Sequence, residues 1–244
     1  MSRTPRLFVH SPLATGQTLA LEGEAAAHLG RVLRARPGEP VTLFDGSGPE
    51  FSGEVRTVNR RTVELAVGTR REANRESPLE LVLLQGVCRH ERMDWVVRKA
   101  TELGVNTIRP VLTTRSVVKI DPARTAGRIE HWRAIAISAC EQSGRNVLPD
   151  ILPPLPVTTA LSAHAGATGV LLDPEAPHGL DRLTHGRGPL CLLVGPEGGL
   201  DERERTVAHK AGYTGIRLGP RVLRTETAAL TGLTLLQARF GDLG

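Results

Sequence analysis

The alternation of apolar strands and amphipathic helices that begins near residue 79 constrains the fold more than any other feature. Residues 79–87 form an almost continuous apolar run, and apolar residues at 93, 96, 97, 100 and 103 then recur at helical spacing. The pattern predicts further strands at 105–112, 169–172, 190–194 and 215–218, and helices at 122–140, 201–211 and 225–239. Strands that alternate with helices predict a parallel sheet covered on both faces.

The first 72 residues have a different pattern, in which short strands are separated by turns. Strands are predicted at 7–9, 18–21, 41–44, 51–58 and 62–67, and one helix at 24–34. Residues 70–78 are polar and end in a proline, which is typical of a linker. We therefore expect a small β-barrel in residues 1–72 and an α/β domain in residues 73–244.

The composition indicates a folded protein that functions away from membranes. Of 244 residues 40% are apolar and 23% are charged, and no run approaches the ~18 apolar residues that span a bilayer. The N-terminus has no apolar run of signal-peptide length, so we expect a cytoplasmic protein. Cys88, Cys140 and Cys191 are isolated from one another and from His at metal-ligand spacing. They predict buried free thiols and no metal site.

The charge of the chain is compatible with a nucleic-acid partner. The formal net charge is +5, and all but three of the 31 basic residues are arginine. The planar guanidinium donates two hydrogen bonds at once to a phosphate, which favours RNA or DNA as a ligand. Arginine is also a common surface residue, and a high arginine content can result from coding bias. Composition alone therefore does not decide whether the chain binds nucleic acid.

The loop after the strand at 190–194 is the first place where chemistry is expected. It reads Val194-Gly195-Pro196-Glu197-Gly198-Gly199-Leu200-Asp201, and Asp201 with Glu204 predicts a capping box for the next helix. Glycines let backbone amides approach a ligand near a helix N-terminus, so a bound carboxylate or phosphate is expected. The spacing fits neither a Rossmann fingerprint nor a Walker loop. A plain strand-to-helix turn is the alternative.

A second loop follows the strand at 215–218 and also opens on Gly-Pro. It reads Leu218-Gly219-Pro220-Arg221-Val222-Leu223-Arg224-Thr225-Glu226-Thr227-Ala228. Thr225 is the predicted N-cap of the last helix, which places Arg224 where the chain enters the site. Solvated arginines and a first-turn carboxylate that answers the helix dipole are the alternatives. Ligands of parallel sheets bind at the carboxyl ends of strands, which favours a site between the two loops.

Together these loops resemble the paired knot loops of the SPOUT methyltransferases. The stretch Leu223-Arg224-Thr225-Glu226-Thr227-Ala228 is similar to one family among them, the small-subunit ribosomal RNA uridine-N3 methyltransferases (RsmE type). Stretches at 28–34, 43–46, 91–95, 99–105, 115–116 and 141–145 also match, so the resemblance covers essentially the whole chain. It implies an N-terminal PUA-like barrel, an α/β SPOUT domain with a C-terminal trefoil knot, and a homodimer.

The resemblance also implies an activity and a set of site residues. The activity is methylation of N3 of a uridine in 16S ribosomal RNA, free or in the small ribosomal subunit, with S-adenosylmethionine as donor. We expect Arg224 to stabilise the uracil anion, and Glu226 or Glu197 to remove or orient the proton. The residues expected at the cofactor are Leu172, Val194, Gly195, Gly199, Leu218, Gly219 and Leu223. Those expected at RNA are Arg31, Arg34, Arg115, Gln142, Arg145 and Arg221.

Several alternatives stay open at this point. A ribose 2′-O-methyltransferase would use the same cofactor loops, and a catalytically silent RNA-binding ribosome-assembly factor would have the same fold. Arg31 and Arg34, three residues apart on the predicted helix, form either a phosphate contact or a solvated face. Gly144 either ends the long helix or places Gln142 and Arg145 beside RNA.

Overall fold

A computed structural model of the chain describes residues 4–118 and 120–244. The chain divides into two compact units. One holds the chain up to Glu76 together with Cys140–Leu148, and the other holds Ser77–Ala139 together with Pro149–Gly244. The first break lies close to the boundary predicted after Glu72, whereas the return of residues 140–148 to the first unit was not predicted.

The first unit is built on a five-stranded sheet. Its strands are β1 (Arg6–Phe8), β2 (Thr18–Leu21), β3 (Pro40–Phe44), β4 (Glu50–Val58) and β5 (Val63–Arg71), in the order β1-β3-β4-β5-β2. All neighbours are antiparallel except β1 and β3. Alternate residues such as Val63, Leu65 and Val67 of β5 are buried in the core of this unit. Within the described residues β1 and β2 do not pair with each other, so the sheet forms a half-barrel.

The helix predicted at 24–34 is shorter and changes type along its length. A single α-helical turn, α1 (Gly23–Ala27), continues as a π-helix at His28–Val32. The amide of Leu33 donates to the carbonyl of His28 at 2.9 Å, a spacing of five residues that widens the turn. Arg34 lies beyond the helix with a left-handed φ of 53°. The prediction that Arg31 and Arg34 share one helix face is therefore wrong.

The second unit contains the predicted parallel sheet. Its strands are β6 (Leu81–Gly86), β7 (Thr107–Leu112), β8 (Asp150–Ile151), β9 (Leu155–Pro156), β10 (Thr168–Leu172), β11 (Leu190–Val194) and β12 (Thr214–Ile216). The order is β12-β10-β11-β6-β7-β8, with β9 also paired to β7, and every pair is parallel. β8 and β9 have two residues each and were not predicted, because so short a strand shows no period.

Helices cover both faces of this sheet, as predicted. They are α2 (His90–Glu102), α3 (Thr125–Ser143), α4 (Val157–Ala163), α5 (Glu202–Lys210) and α6 (Thr225–Phe240). Met93, Trp132 and Leu233 of α2, α3 and α6 belong to one core cluster with the sheet, and Leu161 and Ala208 of α4 and α5 belong to another. The central strands β6 and β11 are buried along their whole length, which explains their continuous apolar sequence.

The capping box of α5 and the glycine that follows α3 match the sequence predictions, whereas the bounds of α3 and the N-cap of α6 do not. The helix predicted at 122–140 is a 3-10 helix at Pro122–Arg124 followed by α3, which runs to Ser143. Asp201 accepts from the amide of Glu204 at 2.8 Å and the Glu204 carboxylate accepts from the amide of Asp201 at 2.9 Å, which confirms the capping box. Gly144 has a φ of 90° and follows α3, so it ends that helix. The N-cap of α6 is Arg224, not Thr225 as predicted, and Thr225 is the first helical residue.

Two further predictions concern the cysteines and membrane spans. Cys88, Cys140 and Cys191 are buried free thiols, as predicted, and burial raises the pKa of each to about 12. Among the described residues, no helix combines the length and the apolar character needed to cross a bilayer.

Glu76 holds residues 145–147 within the first unit. Its Oε2 accepts from Nε of Arg145 at 2.9 Å and from Nη2 at 2.6 Å, while Oε1 accepts from the amides of Asn146 and Val147 at 3.3 Å each. The Arg145 side chain is only 4% exposed. A buried guanidinium is tolerated because this carboxylate neutralises it and accepts two of its hydrogen bonds.

Substitution of Glu76 by Ala is expected to lower the free energy of unfolding by about 3 kcal/mol, because it leaves the Arg145 charge buried without its carboxylate. Urea denaturation measures the change. Glu72→Ala is the control, since Glu72 pairs with Arg70 while 73% exposed, and it should change stability by less than about 1 kcal/mol. Equal effects of the two substitutions would contradict the assigned role of Glu76.

Candidate active site

A cavity of about 360 Å³ opens at the carboxyl ends of β10, β11 and β12. It lies where the sequence placed the site, because parallel strands bring their carboxyl ends to one edge of the sheet. All seven residues predicted at the cofactor line this cavity, namely Leu172, Val194, Gly195, Gly199, Leu218, Gly219 and Leu223. These residues are leucine, valine and glycine, so they offer a ligand apolar side chains and backbone groups. The structure thus brings these seven residues together, and their contact with a ligand stays a prediction.

Glycines in and around the loop after β11 are required, two of them by close backbone packing and two by a left-handed backbone. A Cβ atom at Gly195 would lie 2.9 Å from the amide nitrogen of Leu200, because the loop folds back on itself. A Cβ at Gly86, at the end of β6, would lie 2.4 Å from the nitrogen of Pro196. Gly199 and Gly219 have left-handed φ values of 69° and 75°. The loop therefore has a fixed shape that a side chain at these positions would disturb.

Arg115 is attached to the same loop. Its Nη1 donates to the carbonyl of Gly198 at 3.2 Å and to that of Leu200 at 3.5 Å, and the residue lines the cavity. The sequence predicted an RNA contact for Arg115. In this structure its guanidinium supports the wall of the cavity while the residue remains exposed, and a contact with RNA stays a prediction.

A buried chain of hydrogen bonds joins three elements below the cavity. The Gln85 amide donates from Nε2 to Oγ1 of Thr225 at 2.9 Å, and the Thr225 hydroxyl donates to the carbonyl of Gly195 at 2.6 Å. The Gln85 amide also donates to the carbonyl of Gly86 at 3.0 Å. Gln85 is fully buried and Thr225 is 5% exposed. We call these hydrogen bonds the Thr225 relay. They give a role to the threonine that the sequence predicted as an N-cap.

One wall of the cavity is acidic and was missed by the sequence analysis. Asp173 directly follows β10 and is 8% exposed, and its Oδ1 accepts from the amide of Glu175 at 2.9 Å. Nη1 of Arg205 lies 3.6 Å from Asp173 and 2.7 Å from Glu175. All three residues line the cavity. The position of Asp173 after a buried strand was a signal that could have identified this wall.

The two candidate glutamates lie beside one arginine of α2. Glu197 lines the cavity, whereas Glu226, in the first turn of α6, does not. Oε1 of Glu197 lies 3.4 Å from Nη1 of Arg92, and Oε1 of Glu226 lies 3.8 Å from Nε of the same guanidinium. The arrangement brings together a carboxylate from the loop after β11 and one from the first turn of α6. Arg92 was noted in the sequence only as part of a matching stretch.

The arginines of the second loop are available to a ligand. Arg221 is exposed and lines the cavity. Arg224 is exposed next to the cavity residues Leu223 and Thr225, and its guanidinium makes no hydrogen bond or ion pair within the described part of the chain. Such a side chain can reach a substrate without first breaking an internal contact.

The remaining RNA candidates lie in the first unit. Arg31, Arg34 and Gln142 are exposed. Arg145 is 3% exposed and is bound to Glu76, so the prediction that it contacts RNA is corrected to a structural role. The physical reason is the Glu76 carboxylate, which pairs with this guanidinium and also accepts from the amides of Asn146 and Val147.

Comparison with known proteins shows consistent relatives for both units. Residues 75–237 match the RNA methyltransferase domain and residues 21–67 match the RNA methyltransferase PUA domain. Ribosomal RNA small subunit methyltransferase E of Buchnera aphidicola (Schizaphis graminum strain) is 31% identical over 99% of this chain and 98% of its own. The Bacillus subtilis protein of that name is 30% identical over 90% of this chain and 89% of its own.

Solved structures agree with these relatives. A putative methyltransferase from Legionella pneumophila, in complex with S-adenosylmethionine, has a TM-score of 0.96 at 38% identity and covers 99% of this chain and 100% of its own. Ribosomal RNA small subunit methyltransferase E from Neisseria gonorrhoeae, bound to the same compound, has a TM-score of 0.93 at 37% identity with the same coverage. Since the domain match spans more than half of the chain and the relatives align along almost all of it, this chain belongs to the RNA methyltransferase family that includes the ribosomal RNA small subunit methyltransferases E.

Proposed function

We propose that this protein transfers the methyl group of S-adenosylmethionine to N3 of a uridine in 16S ribosomal RNA. The observation that carries the proposal is the cavity at the carboxyl ends of β10, β11 and β12, lined by all seven residues expected at the cofactor. The relatives from Legionella and Neisseria, which align over 99% of this chain, are solved with that compound bound. The name of the Neisseria protein supports small-subunit ribosomal RNA as the substrate.

The residues of the cavity fit S-adenosylmethionine. Leu172, Leu218 and Leu223 offer an apolar surface for the adenine ring, and the backbone at Gly195 and Gly199 is open to polar groups of the ligand. Asp173 and Glu175 add carboxylates to the lining of the cavity, and these carboxylates suit hydroxyl or ammonium groups of the ligand. When bound, the compound supplies a methyl group on a sulfonium, whose sulfur keeps the electron pair of the bond that breaks.

The chemical difficulty lies at the acceptor. N3 of uracil carries a proton and becomes a good nucleophile only as that proton leaves. We assign to Arg224, whose guanidinium has no internal partner in the described chain, the role of stabilising the negative charge that develops on the uracil oxygens. Glu197 and Glu226 are the candidate proton acceptors, and of the two Glu197 lines the cavity.

The proposal also covers the residues that bind RNA. Exposed Arg31 and Arg34 in the first unit and Arg221 in the second supply phosphate contacts that position the substrate without reading its sequence. Gln142 is exposed in the same unit as Arg31 and is kept as an RNA contact. The homodimer, the trefoil knot and the cytoplasmic location stay predictions that rest on the resemblance.

Methylation of 16S ribosomal RNA and of assembled small subunits, followed by nucleoside analysis, tests the function. The expected product is 3-methyluridine, and it should require S-adenosylmethionine. A 2′-O-methylated nucleoside would identify the ribose-methylating alternative. Cofactor binding without any methylated product would identify a silent assembly factor, and either result would overturn the proposal.

Thr225→Val is expected to weaken S-adenosylmethionine binding about tenfold, because the Gly195 carbonyl and the Gln85 amide lose their buried partner. Thr225→Ser keeps the hydroxyl and should retain most of the affinity. Calorimetry measures the binding, and thermal unfolding verifies that each variant folds. Thr227→Val is the matched control, because Thr227 lies two residues further along the same helix and is exposed. Parental affinity in Thr225→Val would show that the relay does not set the shape of the loop.

Arg224→Ala is expected to lower the single-turnover rate by roughly 10² while it changes cofactor affinity little, because anion stabilisation acts only during methyl transfer. Arg224→Lys should restore part of the rate, since an ammonium cannot bridge two acceptors as a guanidinium does. Arg203→Ala, an exposed arginine of α5, serves as the control. A variant with the parental rate and weakened cofactor binding would make Arg224 a cofactor contact instead.

A further inference from the structure

The acidic wall of the cavity contains one carboxylate that is almost completely buried. Asp173 directly follows β10, lines the cavity, and has a side chain that is only 9% exposed. Its backbone amide donates to the carbonyl of Ile216 at 3.0 Å, which ties the residue to the end of β12. Burial of a carboxylate is unfavourable unless other groups replace the water that it loses. The surroundings of Asp173 therefore have to supply those groups.

The two oxygens of this carboxylate have different surroundings. Oδ1 accepts from the amide of Glu175 at 2.9 Å and lies 3.6 Å from Nη1 of Arg205. Oδ2 makes no hydrogen bond or ion pair within the described residues, yet it is not among the side-chain oxygens that are buried there without a partner. In a residue that lines the cavity, such an oxygen is accessible to a ligand. Oδ1 is thus held by the protein, and Oδ2 remains as an acceptor.

Arg205 partly balances the charge of the acidic wall. Its Nη1 lies 2.7 Å from Oε2 of Glu175 and 3.6 Å from Oδ1 of Asp173. The Glu175 side chain is 74% exposed, so water competes with a ligand for its carboxylate. A cationic group at Oδ2 of Asp173 would face this guanidinium as well as the carboxylate, which reduces its advantage over a neutral donor.

The amino-acid end of S-adenosylmethionine suits this wall poorly. That end carries a carboxylate next to its ammonium group, and the carboxylate would be repelled by Asp173 and Glu175. Three other residues of the lining suit a carboxylate better, because each has a guanidinium that can donate two hydrogen bonds to it. They are Arg115, Arg217 and Arg221.

The ribose suits Oδ2 of Asp173, because its hydroxyls are neutral donors. The ribose is also attached directly to the adenine, for which the neighbouring Leu172 offers an apolar surface. We propose that Oδ2 of Asp173 accepts a hydrogen bond from a ribose hydroxyl of S-adenosylmethionine, which makes Asp173 a specificity-determining residue for the nucleoside end of the cofactor. This inference rests on the proposed function and names the group that the acidic wall recognises.

Calorimetry with S-adenosylhomocysteine and with its 2′-deoxy and 3′-deoxy forms tests the proposal on the parent protein without RNA. We expect the loss of one of the two hydroxyls to weaken binding about tenfold or more, because the Asp173 carboxylate then loses its donor. Equal affinity for all three compounds would overturn the proposal. This comparison needs no substitution, so it decides the question even where a variant fails to fold.

Asp173→Ser isolates the contribution of Oδ2. A serine hydroxyl can accept from the amide of Glu175, as Oδ1 does, but it does not replace the second oxygen. We expect the penalty for the missing ribose hydroxyl to fall below about threefold in this variant. Asp181→Ser is the matched control and should keep the penalty of the parent protein, because the Asp181 side chain is 77% exposed. An undiminished penalty in folded Asp173→Ser, as judged by thermal unfolding, would contradict the assignment.

5′-Methylthioadenosine, which keeps the ribose and lacks the amino-acid end, separates the two parts of the ligand. We expect Asp173→Ser to weaken its binding by the same factor as that of S-adenosylhomocysteine. A loss confined to S-adenosylhomocysteine would show that Asp173 contacts the ammonium group, and loss of the hydroxyl preference in Glu175→Gln alone would transfer the contact to Glu175. Either result would overturn the proposal. The proposed function fails separately, if protein with the expected hydroxyl preference forms no 3-methyluridine.

Discussion

The hydrogen bond from the Thr225 hydroxyl to the Gly195 carbonyl, with Gln85 behind it, is the interaction on which the rest of the site depends. It connects β6, the loop after β11 and the start of α6 at one buried point. The loop after β11 and the start of α6 both line the cavity, and they carry the carboxylates of Glu197 and Glu226 beside it. In this shielded network the donors of Gln85 and Thr225 are both used, whereas Oε1 of Gln85 is buried without a partner among the described residues. Buried donors that would lose their acceptors in another arrangement favour this arrangement of the loops.

The loop after β11 serves two neighbouring sets of groups. Its backbone at Gly195 and Gly199 forms one wall of the cavity, and its Glu197 side chain is held at the N-terminus of α2 by the Arg89 amide. A change in the shape of this loop therefore affects both the cavity and the carboxylate. Arg115 adds a third restraint through the Gly198 carbonyl. Rigid placement of this kind is what in-line transfer requires, because misalignment of donor and acceptor is costly.

Much of the architecture was predictable because it follows from the periodic spacing of apolar residues along the sequence. The buried strand β11 and the helix α6 were placed almost to the residue, and the carboxyl-end rule located the cavity. Short elements such as β8 and the π-helix escaped, since neither has enough residues to show a period. Contacts between distant residues also escaped. Nothing local in the sequence tells that Arg145 meets Glu76, or that Thr225 bonds to Gly195 rather than capping its own helix.

The return of residues 140–148 to the first unit means that the chain passes between the two units more than once. A protein with a single connection is cut into independent pieces by one proteolytic event, and its halves can be exchanged between relatives at one junction. Here a fragment that begins at Ser77 would carry Arg145 and Asn146 without the carboxylate of Glu76 that satisfies them. A cut at the first junction between the units therefore separates a buried guanidinium from its carboxylate.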